Sequence, residues 1–369
     1  MGNTHFFNLD LLKFFTYCLV IYDHCAEHLF ESVYPGDDLY VVGLFHSLDT
    51  ITVPIFTILT GYFTLPIKAS PKYFIYRRVS RVIIPYIMWY FLYAVFCIFF
   101  YGDSIKTALI SFICCLFRFD MRFGHVWYVF MIAGLYLLAP IISPWLERCT
   151  QSDIEAYLCI WFFASLLTFV YPFYPDLFAN AFINPTPTFY YFTGLGGFLP
   201  LGYYIRHYGP LRIRDSILLL VIAYAVNTLY FFYNLPTTTD FEKLILPWSF
   251  GSPTVLIAAY AIVSLFVPLQ IQGTSFFVRI CSEFVSMGYG IYLLHMIPLH
   301  LIRMLLVHYF PTLFAVPAPS SDGYTYNRPY GIPSALISIP IHTLLTVVVV
   351  YITAKLIRKL PYGTKLFGC

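Results

Sequence analysis

Charge is what this chain most lacks. Its 369 residues include 21 Lys and Arg and 18 Asp and Glu, so 11% are charged, against about 25% in a soluble domain. That shortage excludes a water-soluble globule of this size. The net charge of +3 is small, and no nucleic acid is expected as a partner. The nine cysteines form no CxxC pair, so neither a disulfide framework nor a zinc ribbon is indicated, and they read as small buried hydrophobes. No Asn-x-Ser/Thr sequon occurs, which favours a bacterial inner membrane over a secretory-pathway membrane. The phosphate-binding P-loop, the GxSxG nucleophile elbow and the GxGxxG dinucleotide fingerprint are also absent. Met1 to Asp10 lacks the basic region and cleavage site of a signal peptide, so the first apolar segment is expected to stay in the mature protein.

What is present is apolar: 60% of residues are hydrophobic and 21% aromatic. A bilayer core of about 30 Å takes about 20 apolar residues per helix, and the backbone there must satisfy its own hydrogen bonds. Ten runs meet that length. They cover Phe6 to Phe30, Tyr40 to Leu65, Phe74 to Tyr101, His125 to Trp145, Ile154 to Tyr174, Pro187 to Ile205, Ile217 to Tyr233, Trp248 to Leu269, Phe284 to His308 and Ser334 to Leu356. An inside N-terminus puts Arg77, Arg78, Arg81, Arg212, Arg214, Lys355, Arg358 and Lys359 on the cytoplasmic side, as the positive-inside rule asks. The expected architecture is an all-α, polytopic membrane helix bundle of about ten transmembrane helices, with both termini cytoplasmic. With no soluble domain and no internal repeat, residues 1–369 read as a single transmembrane domain.

Ionisable groups inside a span cost about 2.5 to 3.5 kcal/mol and by default mark a functional interior. The first span holds Asp10, Lys13, Asp23, His24, Glu27 and His28. Lys13 and His24 are eleven positions apart, three helical turns plus roughly 20°, so they share a face about 16 Å apart along the axis. Lys13 alone reads as a snorkelling anchor. His24, whose ordinary pKa is about 6.5, reads first as the natural general base for a hydroxyl acceptor, with a hydrogen bond to a neighbouring helix as the alternative. After a second span that reads as proline-broken at Pro54, Arg77, Arg78 and Arg81 stand at helical i,i+3 and i,i+4 spacing. Guanidinium forks match phosphate, while topological anchoring explains the same charges without special spacing. His125 and Trp127 open the fourth span, and Tyr292 and His295 lie in the ninth. Counted along a straight helix, His295 is about 18 Å in from Glu283, a depth open to His24 as well, and its default reading is a helix-to-helix hydrogen bond.

His24-Cys25-Ala26-Glu27-His28 also spells H-x-x-E-H, a zinc-protease pattern. It stands at the outer end of a span without an evident third ligand, and no metal is expected there. Many spans, buried charges and proline-broken helices also suit a glycan or lipid transporter or flippase, which would move substrate without acyl transfer.

Taken together, these pieces resemble acyltransferase family 3, membrane proteins that include bacterial O-acetyltransferases of surface polysaccharides. The family's L-D-x-x-R, followed by His, is matched by Leu9, Asp10, Lys13 and His24, with Lys in place of Arg. Its V-P-x-F-x-x-x-S-G-Y/F segment is matched by Val53, Pro54, Phe56, Gly61 and Tyr62, with Thr60 for Ser. Its R-R-x-x-R-x-x-x-P-Y is matched by Arg77, Arg78, Arg81, Pro85 and Tyr86. Weaker echoes are His125-Val126-Trp127-Tyr128 and Gly290-Ile291-Tyr292-Leu293-Leu294-His295. The resemblance implies O-acetyl transfer from cytoplasmic acetyl-CoA to a hydroxyl of a surface or lipid-linked saccharide, such as O-antigen, lipopolysaccharide or capsule. It implies His24 as base and Lys13, Arg77, Arg78 and Arg81 on the CoA phosphates. Asp10, His125, Trp127, Tyr292 and His295 are expected in support. The implied form is the stand-alone one, without an appended soluble domain, and the oligomeric state stays open.

Overall fold

In the computed structural model, residues 6–30, 38–170, 182–183, 186–187, 193–238, 241–271, 275–314 and 331–368 are described. The chain opens with α1 (Phe7–Phe30), α2 (Asp38–Phe45) and α3 (Thr52–Thr64), then α4 (Pro71–Tyr101), α5 (Ile105–Ile113), α6 (Trp127–Arg148) and α7 (Gln151–Val170). A minimal antiparallel ladder follows, Phe182–Ile183 against Thr186–Pro187. Next come α8 (Phe198–Tyr208), α9 (Ile213–Asn234), the single turn α10 (Phe241–Leu244) and α11 (Pro253–Phe266). The last are α12 (Phe276–Ser286), α13 (Gly288–Leu294), α14 (Met296–Tyr309), the single turn α15 (Pro311–Phe314) and α16 (Gly331–Arg358). Apart from that ladder, the regular structure among the described residues is helical, as composition requires of a chain that must satisfy its backbone in lipid.

Among the described residues six stretches are long and apolar enough to cross a membrane: Gly43–Thr64, Pro71–Tyr101, Met121–Arg148, Ile213–Asn234, Leu246–Phe266 and Leu336–Arg358. The pair Phe276–Ser286 and Gly288–Leu294 makes a seventh if its 69° bend is counted within one span. At 24 residues α1 has the length, but it carries Asp10, Lys13, Asp23 and Glu27. Three expectations change in detail. The helix expected from 187 to 205 is found as the eleven-residue α8, about 16 Å long and half a bilayer. Glycines fill its approach, with Gly194 at φ 83° and Gly197 at the helix entrance. The second span breaks upstream of Pro54, because Pro54 sits in the first turn of α3, where a missing N–H costs nothing. The expected straight helix from 284 to 308 is bent at Met287, so the depth reckoned for His295 does not apply.

The chain divides into two compact units, each built from two segments. The first comprises Met1–Ile67 and Ile141–Val278. Its core gathers Leu9 and Leu12 of α1, Ile55, Ile58 and Leu59 of α3, Phe198 and Leu201 of α8, and Val255, Ala258 and Ala259 of α11. Helices α3 and α8 meet backbone to backbone. A Cβ on Gly61 would stand 2.2 Å from the Leu199 carbonyl oxygen, and one on Gly202 would stand 2.0 Å from that of Ile58. Small residues permit such crossings, which supply the packing that lipid cannot drive. The Asn8 amide donates to the Phe266 and Val267 carbonyls at 3.0 and 2.9 Å, tying the start of α1 to the end of α11.

The second unit comprises Lys68–Pro140 and Arg279–Cys369. Its α4 begins with Pro71 at a position suited to it and ends at Gly102 in the left-handed conformation. Trp89 of α4 donates to the Leu366 carbonyl at 3.0 Å, and Tyr289 of α13 donates to the Val82 carbonyl at 2.7 Å. These bonds hold the C-terminal 3-10 turn and α13 against α4.

Candidate active site

In the first unit, α1 runs unbroken from Phe7 to Phe30, so the eleven-residue interval does place Lys13 and half-buried His24 on one face. Asp10 and Lys13 come together, with Nζ 3.8 Å from Oδ1. The ammonium also stands 4.4 Å from the centre of the Phe63 ring, a cation–π seat at the C-terminal end of α3. A second cation serves the same helix end. Arg206, from the last turn of α8, donates to the Tyr62 carbonyl at 2.7 Å and lies over the Tyr62 ring at 5.6 Å. Tyr62 and Phe63 themselves form an edge-to-face pair at 5.2 Å. Arg206 escaped the reading of motifs because its partners are brought to it only when α8 packs on α3.

Where α2 stops, the first unit holds a polar cluster that sequence reasoning also missed. His46 Nδ1 is hydrogen-bonded to Asp49 Oδ2, and the two side chains are 1% and 3% exposed. The Tyr22 ring stacks on His46 at 4.6 Å and 8°. Asp23 completes the group. The signal was available, since His-x-x-Asp inside an expected span is as anomalous as the charges of α1. The side chains of Glu27 and His28, the rest of the H-x-x-E-H pattern, lie outside the described residues.

In the second unit, the arginine cluster is divided rather than uniform. Arg78 is half-buried between the Phe74 and Tyr136 rings, 5.8 Å from each, while Arg77 and Arg81 are exposed on α4. Farther along, the unit joins three of the expected supporting residues. The Tyr292 hydroxyl donates to the His125 carbonyl, and the His125 and His295 rings lie 4.9 Å apart. The fully buried His295 donates from Nδ1 to the Tyr292 carbonyl at 2.6 Å. Tyr93, absent from the motif reading, donates to the Leu293 carbonyl and so accepts from His125 Nε2 at 3.2 Å. Trp127 is the first residue of α6 and lies half-buried beside this group in sequence. The network as described is made of aromatic, imidazole and carbonyl groups, which is chemistry for fixing a helix junction.

Next to it, Arg122 binds two carboxylates at once. Its Nη2 lies 2.7 Å from Asp103 and 2.5 Å from Asp120, and its Nε lies 3.0 Å from both Asp120 oxygens. Burial pushes the Asp120 carboxyl up, but the Arg122 hydrogen bonds outweigh it and hold the group below the usual carboxylate range.

The sequence profile of the acyltransferase 3 family, described as an acyltransferase domain, matches residues 6–355. The chain belongs to the acyltransferase 3 family. The match runs through both compact units and takes in α1 and α4 with their motif residues. No curated protein and no solved structure gave a match. Membership gives a multi-pass membrane acyltransferase, in agreement with the apolar helices.

Proposed function

We propose that this acyltransferase moves an acetyl group from cytoplasmic acetyl-CoA to a hydroxyl of a surface or lipid-linked saccharide. The observation that carries the reading is α1: a family-matched helix with a cation and an imidazole on one face, about three turns apart. His24 takes the proton of the sugar hydroxyl as its oxygen attacks the thioester carbonyl. The C–O bond forms, the C–S bond breaks, and CoA leaves as the thiol once the proton is returned. Asp10 positions Lys13. In the first unit Lys13 and Arg206 supply positive charge for the CoA phosphates, and in the second unit exposed Arg77 and Arg81 do so, with Arg78 locked between rings. His125, Tyr292 and His295 keep the second unit's helix junction in shape, and Trp127 starts the helix beside it. The proposal places about ten spans in a bacterial inner membrane with both termini cytoplasmic, in line with the distribution of basic residues.

The test is acetylation by purified protein in lipid nanodiscs, reading CoA thiol release and acetyl gain on a glycan acceptor. His24→Ala is expected to lower turnover by about 10²-fold or more, the contribution of a placed base, while the protein still inserts and folds. Wild-type protein that neither binds acetyl-CoA nor releases CoA with any glycan would end the proposal.

A further inference from the structure

The polar cluster of the first unit has no part in the proposed acyl transfer. Asp23 comes from α1, whereas His46 and Asp49 come from the break between α2 and α3. One donor atom from each lies within 4.8 Å of the other two. Oxygen and nitrogen ligands of one zinc ion, each at about 2.0–2.2 Å, stand at most about 4.4 Å apart, so the three share a coordination sphere once Asp23 closes in and the His46–Asp49 hydrogen bond opens, its proton being released to water as the ion binds. Burial supplies the second argument. His46 and Asp49 are almost wholly buried in a stretch apolar enough to span a membrane. Asp23 brings a second carboxyl group to the same point, and a divalent cation held among the three offsets the cost of desolvating them.

We infer that Asp23, His46 and Asp49 form a binding site for one divalent transition-metal ion that clamps α1 to the break between α2 and α3. One imidazole nitrogen with two carboxylate oxygens suits Zn²⁺ or Mn²⁺ and disfavours the all-oxygen preference of Mg²⁺ and Ca²⁺. Water fills the remaining positions. The Tyr22 ring, stacked on His46, fixes the imidazole plane as a supporting group beyond the ligands commonly does. This departs from the expectation of no metal, and it uses residues other than the H-x-x-E-H pattern. It stands independently of the acetyl-transfer reading, because the readout is bound metal.

The experiment uses full-length protein purified through a tag without histidine, equilibrated with Zn²⁺ or Mn²⁺ across a concentration series and assayed by elemental mass spectrometry. The expected result is about one ion per chain. Asp23→Asn and Asp49→Asn should each weaken binding by at least about tenfold, while His28→Ala should leave it unchanged. If Asp49→Asn fails to fold, Asp23→Asn, at a half-buried position, carries the test. Absence of bound Zn²⁺ and Mn²⁺ in wild-type protein, binding unaltered in Asp23→Asn, or binding lost in His28→Ala each overturns the site.

Discussion

The two units bury histidine in opposite ways. In the first, His46 is matched to a carboxylate, Asp49, in a group that also contains Asp23. In the second, His125 and His295 are matched to a tyrosine hydroxyl and a backbone carbonyl, and no carboxylate enters their hydrogen bonds as described. Ion pairs among the described residues of the second unit include the Arg122 clasp with Asp103 and Asp120, where the side chains are roughly one-fifth exposed, and the more exposed pair of Lys355 with Glu283. Packing differs in parallel. The first unit relies on glycine-permitted backbone contact between α3 and α8, and the second on interlocking aromatic rings around Tyr93, Phe123 and Tyr292. A buried histidine–carboxyl pair is therefore sensitive to loss of one partner, whereas hydrogen bonds to hydroxyl and carbonyl groups are lost in smaller steps.

The sharpest way to break this comparison is His46→Ala, which strands a buried carboxylate and is expected to cost about 3–5 kcal/mol. Thermal unfolding in nanodiscs measures it, and a loss no larger than that of Tyr292→Phe would erase the contrast. Next comes Gly61→Ala, whose Cβ meets a backbone carbonyl that has no rotamer to change. Overpacking of that kind costs about 1–3 kcal/mol, and unaltered stability would show that α3 and α8 are less tightly joined. Tyr292→Phe removes one neutral hydrogen bond, an expected loss of about 1 kcal/mol. The smallest effect belongs to Asp120. Its carboxyl is depressed in the folded state, so its contribution is present above the unfolded value of about 3.9 and fades as pH falls through the lower folded value. Melting followed from pH 5 to pH 3 should therefore show an acid loss of at most about 1 kcal/mol that Asp120→Asn abolishes.

Much of this was legible in the chain because lipid makes length and hydropathy decisive. Helices expected over 74–101, 125–145, 217–233, 248–269 and 334–356 are found within a few residues of those bounds. The joint placement of Lys13 and His24 was legible too, since it needs only an unbroken helix. The bend at Met287 was not. There Ser286 donates to the Glu283 carbonyl at 2.7 Å, and Gly290 packs so closely on Phe367 that a Cβ would stand 1.8 Å from the ring. Phe367 is remote in sequence, so no local pattern announces the contact. The unlike environments of Arg77, Arg78 and Arg81 were hidden for the same reason, because Tyr136 reaches Arg78 from α6.

Composition and periodicity by themselves determined that this is an all-helical membrane protein and where most of its helices run. Their motifs pointed to the family that the profile match established. Those properties follow from each segment's exchange between water and lipid, a local quantity. Only the tertiary structure decided that Arg206 joins Lys13 at the end of α3, that His46 and Asp49 meet Asp23, and that Tyr93 seats His125. Each of those depends on which helices cross and at what separation, and side-chain contacts across helices have no counterpart in the hydropathy of either one.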